Sequence, residues 1–176
     1  TSAASSAAEM AIAIPDTVKP SITLTGNATV TVEAGGSYSD AGASASDDKD
    51  GDLTSSIAAT GTVDASTVGA YTVTYNVSDA AGNAAVAVVR TVNVIDTTLP
   101  TITLTDDATV TVEAGSTYTD AGATATDNLT ASIAVTGTVD ANTVGVYTLA
   151  YNVSDAEGNA AVAVVRTVNV VDTTAP

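Results

Sequence analysis

The residues able to do chemistry in this chain are carboxylates and side-chain amides. Asp16, Asp47, Asp48, Asp50, Asp52, Asp79 and Asn83 cluster in the first half, and Asp96, Asp127, Asn128, Asp155 and Asn159 in the second. Oxygen donors of this kind, several to a cluster, suit a hard cation such as Ca2+, which takes about six to eight of them. The same residues exclude other chemistry. With no His and no Cys, neither a Ser-His-Asp nor a Cys-His nucleophile can be built. A carboxylate pair for glycoside hydrolysis needs a cleft between two acids of unlike pKa, and no Trp or Phe is present to platform a sugar. The chain is therefore read as non-enzymatic. Asp48-Lys-Asp50-Gly-Asp52 has the look of an EF-hand loop, but Ala59 stands at the twelfth position where that loop needs Glu, and no helices flank it.

Strands must position these clusters. Tyr71, Val73, Tyr75 and Val77 alternate with Thr72, Thr74, Asn76 and Ser78, the period of a strand with one buried face. Asp-Ala-Ala-Gly-Asn at 79–83 follows as a turn, and the apolar run after it reads as the returning strand. Gly, Asn and Asp at 26–27, 34–37, 47–52 and 79–83 separate strands expected near 21–25, 28–33, 41–46, 55–62, 71–78 and 84–94. If the first strand runs away from residues 16–20, alternation of direction returns the loops at 47–52 and 79–83 to that same end. In the second half, Asp127, Asn128, Asp155, Glu157 and Asn159 likewise share an end with Asp96. Two carboxylates about 6 Å apart repel by roughly 0.7 kcal/mol even in water. Their convergence predicts a Ca2+ site at each junction, although each Asp and Asn taken singly is also explained as a turn former.

The whole unit occurs twice. Gly-Ala-Tyr-Thr-Val-Thr-Tyr-Asn-Val-Ser-Asp at 69–79 returns as Gly-Val-Tyr-Thr-Leu-Ala-Tyr-Asn-Val-Ser-Asp at 145–155, and a junction of the form Asp-Thr-x-x-Pro stands at 16, 96 and 172. The second copy lacks the residues corresponding to 49–52, so the two junctions are expected to differ in affinity. The 176 residues thus divide into a linker or extra strand at 1–15, a domain at 16–95, a second at 96–172 and the start of a further linker at 173–176. Domains of about 80 residues bury only about 60–65% of their unfolded surface, and without cysteine no disulfide supports them. Twenty acidic against four basic residues, a net charge of −16, repel polyanions, which argues against nucleic acid and anionic membranes as partners. No apolar run is long enough to span a bilayer.

Asp-Thr-Thr-x-Pro, Ala-Thr-Val-Thr-Val-Glu-Ala-Gly, Tyr-x-Asp-Ala-Gly-Ala, Gly-x-Tyr-Thr-x-x-Tyr-x-Val-x-Asp-x-x-Gly-Asn and the closing Arg-Thr-Val-Asn-Val together resemble tandem bacterial immunoglobulin-like domains of the hyalin-repeat kind, over residues 16–172. The resemblance implies an all-β fold of two β-sandwiches joined end to end, and a place in a large bacterial surface protein. Gly69-x-Tyr71 and Gly145-x-Tyr147 resemble a tyrosine corner, in which a phenol hydroxyl bonds to nearby backbone; a plain core tyrosine is the alternative.

The resulting reading is a structural module of an extracellular bacterial surface protein, adhesin stalk or filament, stiffened by Ca2+ and extended at its semi-rigid Pro20 and Pro100 junctions. A carbohydrate- or protein-binding accessory module is the alternative, favoured by an exposed aromatic platform. Met10, Ile12 and Ile14 alternate with alanine ahead of the first repeat, and a strand there needs a sheet edge, in its own domain or in a neighbouring copy. Neighbouring repeats or copies of the chain are accordingly the expected partners.

Overall fold

The computed structural model describes residues 14–175. Met10 and Ile12 lie outside the described residues; Ile14 belongs to no strand and is 80% exposed.

The first repeat contains β1 (Ser21–Leu24), β2 (Thr29–Glu33), β3 (Ala43–Asp47), β4 (Gly51–Asp52), β5 (Ala58–Thr60), β6 (Gly69–Asn76) and β7 (Val88–Ile95). They form two sheets, in the orders β1-β3-β4 and β2-β7-β6-β5. The second contains β8 (Thr101–Leu104), β9 (Thr109–Glu113), β10 (Ala123–Thr126), β11 (Ala131–Thr136), β12 (Gly145–Asp155) and β13 (Val164–Val171), in sheets β10-β8 and β11-β12-β13-β9. Within this second repeat β8 pairs antiparallel with β10, and β9 pairs in parallel with β13. One continuous N-terminal stretch therefore serves both sheets of its sandwich. The described residues form two compact units: 14–30 with 38–63 and 70–93, and 31–37 with 64–69 and 94–175.

The alternation read from the sequence holds on the central strands. Val73, Tyr75, Val77 and Asp79 are buried, as are Leu149, Tyr151, Val153 and Asp155, whereas Thr72, Asn76 and Ser78 are exposed. In the second repeat Ile102, Leu149, Tyr151 and Val153 form the core, with Leu104, Ile133 and Val164 against it.

Three expectations need correcting. The strand expected at 55–62 is only Ala58–Thr60, preceded by a 3-10 turn at Thr54–Ser56. The residues at 49–52 explain this: Gly51 and Asp52 fold back to pair with Asp47 and Ser46, and Thr54 donates its backbone N–H to Asp52 Oδ1 at 2.9 Å. The second repeat lacks those residues, and its β11 runs unbroken from Ala131, opposite Asp155. The strand expected at 84–94 begins only at Val88. Ala84 makes a single bridge to Ser78 and the chain then leaves the ladder, which puts Val86 in solvent, 78% exposed, and its counterpart Val162, 82%. The strand expected at 41–46 starts at Ala43, because Gly42 has φ +76° and ends the preceding turn.

What the sequence reading missed is a buried arginine in each core. Arg90 and Arg166 are each 1% exposed. Their parity places them beside Val92 and Val94, or Val168 and Val170, on the inward face. The Arg90 guanidinium pairs with Asp40, donates to the Tyr75 hydroxyl oxygen at 3.0 Å, and donates to the carbonyls of Thr25, Asn27 and Gly42. Those carbonyls belong to the bend where the chain crosses between sheets, from β1 to β2, and to the start of β3. One planar five-donor group thus satisfies the Thr25 and Asn27 carbonyls and shares that of Gly42 with the Thr25 N–H. Arg166 does the same with Asp120, Tyr151, Thr105, Asp107 and Gly122.

The tyrosines divide by role. Tyr38 and Tyr75 both donate to Asp40. Burial works against the ionised Asp40, but the donors Tyr75, Tyr38 and Arg90 outweigh it and hold the carboxyl at about 2; burial and the adjoining Asp40 push Tyr75 up to about 12. Tyr147 instead donates its hydroxyl to the Thr143 carbonyl at 2.9 Å, the tyrosine-corner arrangement.

Candidate metal centre

Each linker aspartate begins as an Asx turn. Asp16 Oδ1 accepts the Val18 N–H at 3.1 Å, Asp96 Oδ1 that of Thr98 at 3.0 Å, and Asp172 Oδ1 that of Thr174 at 3.1 Å. A glutamate at the end of the second strand of each repeat holds the residues that follow. Glu33 accepts the backbone N–H groups of Thr97 and Thr98 and both their hydroxyls, and Glu113 accepts Thr173 N–H and the Thr173 and Thr174 hydroxyls. The Thr97 N–H and the Thr98 hydroxyl are the main reason the Glu33 carboxyl lies at about 2. These two glutamates were not picked out from the sequence, although Val-Glu-Ala-Gly recurs at both places.

The turn after the penultimate strand meets the same aspartates. Asn83 donates its backbone N–H to Asp79 Oδ1 and its side-chain amide to Asp79 Oδ2, each at 2.7 Å, and also to the Asp16 carbonyl at 3.1 Å. Asn159 repeats all three contacts with Asp155 and the Asp96 carbonyl. Burial disfavours the Asp79 and Asp155 carboxylates, yet the Asn83 and Asn159 donors hold both below the usual range. The two asparagines thus brace the aspartates through their amide nitrogens.

Carboxylates gather around each brace. Asp16, Asp47, Asp50 and Asp79 each present an oxygen within 4.8 Å of the others, and so do Asp96, Asp155 and Glu157. Asp47 Oδ1 orders its own loop by accepting Lys49 and Asp50 N–H, and Asp50 Oδ2 accepts the Ala80 N–H at 2.9 Å. Asp48 and Asp52 stand outside the first group, Asp52 being engaged with Thr54. In the second unit, Asn128 donates its amide to Asp96 Oδ1 at 3.0 Å and to the Ala34 carbonyl at 2.9 Å.

Several of these oxygens are buried with no hydrogen-bond partner among the described residues: Asp16 Oδ2, Asp47 Oδ2, Asp96 Oδ2 and both oxygens of Asp127. Asp96 as a whole is only 7% exposed. An unpaired buried carboxylate oxygen is costly unless a cation or a donor meets it.

Among the described residues no helix is long and apolar enough to cross a membrane. Comparison with curated proteins gives no match. Among solved structures, the chain is similar to the lipoprotein BT2262 from Bacteroides thetaiotaomicron, at 21% identity and a TM-score of 0.40, over 78% of this chain and 61% of that one. It is also similar to the fibronectin(III)-like modules of Clostridium thermocellum CbhA, at 17% identity and a TM-score of 0.35, over 87% of this chain and 94% of that one. The chain spans less than two thirds of the lipoprotein's length. The model of the family "Bacterial surface protein, Ig-like domain" matches residues 22–94 and again 102–170, and the chain belongs to that family as two tandem immunoglobulin-like domains.

Proposed function

We propose that the chain is a non-catalytic structural module of a bacterial surface protein, of the stalk or filament kind, whose linker aspartates bind Ca2+. Families of this type are typically non-catalytic modules. The observation that carries the calcium reading is Asp96: a side chain 7% exposed, with Oδ2 buried and unpartnered, grouped with the carboxylates of Asp155 and Glu157. Clustered oxygens braced by amides, with no nitrogen or sulfur ligand nearby, match the preference of a hard cation. Asp16, with Asp47, Asp50 and Asp79, forms the corresponding site in the first repeat.

Calorimetric titration of the full chain with CaCl2 tests this directly. Saturable heat is expected, together with a thermal midpoint that falls in chelator. A site occupied at a hundred times its Kd adds about 2.7 kcal/mol. No heat, with the same midpoint in chelator, overturns the calcium reading. The assembly part of the proposal rests on the alternation of Met10, Ile12 and Ile14. Deleting residues 1–15 abolishes any filaments while leaving the circular dichroism of both sandwiches intact; filaments surviving that deletion contradict strand addition.

A further inference from the structure

The second repeat lacks the residues that correspond to 49–52, and with them the counterpart of Asp50. A site that lost one of four carboxylates would lose much of its attraction for a divalent cation. The second group keeps two counterparts of the first, Asp96 and Asp155, without Asp127, the counterpart of Asp47, and Glu157 brings it to three. Glu157 stands at the place of Ala81, two residues after the buried aspartate in each Asp-Ala-x-Gly-Asn turn.

The first repeat shows why that exchange is geometrically allowed. Asp16, Lys49, Asp50, Ala80 and Ala81 line one cavity of about 230 Å³. Asp50 reaches it from the loop before β4, and Ala81 borders it from the turn that carries Asp79. A longer acidic side chain at position 81 would enter the space that Asp50 occupies.

We infer that Asp50 and Glu157 are alternative ligands for one position of the same hard-cation site, supplied from different loops in the two repeats. This rests on the calcium reading above. The two are held differently. Asp50 is fixed by the Ala80 N–H and by the Asx turn of Asp47, whereas the Glu157 side chain is exposed and makes no hydrogen bond to any described residue. Ordering a free glutamate costs rotamer entropy that the pre-set aspartate has already lost, so the second site binds the ion more weakly.

The test is calorimetric titration of the full chain with CaCl2, for the unaltered protein and for Glu157→Gln, Asp50→Asn and Asp50→Asn with Ala81→Glu, each first checked for intact β-sheet by circular dichroism. Two classes of site are expected. Glu157→Gln weakens the weaker class by about tenfold or more, and Asp50→Asn the tighter class by a similar factor. Adding Ala81→Glu to Asp50→Asn restores most of the lost affinity. If the unaltered chain binds calcium but Glu157→Gln changes neither class, or Ala81→Glu restores nothing, the inference fails while the calcium reading stands. If the unaltered chain gives no heat, the calcium reading itself fails and takes this inference with it.

Discussion

The side-chain amide of Asn159 donates to the backbone carbonyl of Asp96 at 3.1 Å, and the same amide holds Asp155 Oδ2 at 2.7 Å. A single side chain therefore ties the linker to the turn after β12. Asn83 ties Asp16 to Asp79 in the same way. Replacing Asn159 with alanine leaves the buried Asp155 short of a donor, which is costlier than removing both partners together. The thermal midpoint falls by a few degrees in chelator, where no cation contributes. Calorimetry that finds the midpoint of Asn159→Ala unchanged contradicts the brace.

Arg166→Leu removes the charge that Asp120 needs and uncovers the carbonyls of Thr105, Asp107 and Gly122. Breaking one partner of a buried pair costs about 3–5 kcal/mol. Denaturant unfolding shows a loss of that size confined to one transition. Arg166→Lys rescues little, since an ammonium cannot reach a carboxylate and three carbonyls from one plane. A Lys variant as stable as the parent contradicts this account.

The pH dependence has a definite sign. Asp40 and Glu33 lie at about 2 in the folded chain, against about 3.9 and 4.3 for ordinary aspartate and glutamate. A depressed folded value favours the ionised, folded state. The stabilisation is complete above the unfolded values and is lost as pH falls through about 4 towards 2. Thermal midpoints in chelator are flat above about pH 5 and drop steeply below pH 4, and Asp40→Asn, although less stable, shows a shallower drop. A profile that rises on acidification overturns the assignment.

Gly137 and Gly61 follow the last residues of β11 and β5 with φ of +106° and +109°. A methyl group at Gly137 would strike the Thr148 carbonyl oxygen, and at Gly61 that of Thr72. Both the backbone angle and the space require glycine. Gly137→Ala destabilises by more than about 2 kcal/mol, whereas Gly122→Ala, also at positive φ but with open space around it, loses about 1–2 kcal/mol. Equal losses at the two positions contradict the steric argument.

Repeat number, the all-β class and the inward faces of the central strands were legible in the sequence, because a period-2 pattern repeated after the same turn chemistry leaves one arrangement that buries Val73, Tyr75 and Val77 together. Strand direction also brings the loops of Asp47 and Asp79 to Asp16 and that of Asp155 to Asp96, whereas Asp48, Asp52 and Asp127 stand outside these groups. Tertiary structure decided the rest. That Arg90 and Arg166 lie inside follows in parity from Val92 and Val94, or Val168 and Val170, but only the bends from β1 to β2 and from β8 to β9 supply the carbonyls that make burying a guanidinium tolerable. That Asp50 joins a cluster while Asp52 does not depends on how residues 49–52 fold back onto β3. Local pattern encodes which face a side chain takes; the partner that satisfies a buried charge comes from segments tens of residues away, brought near only when the sheets close.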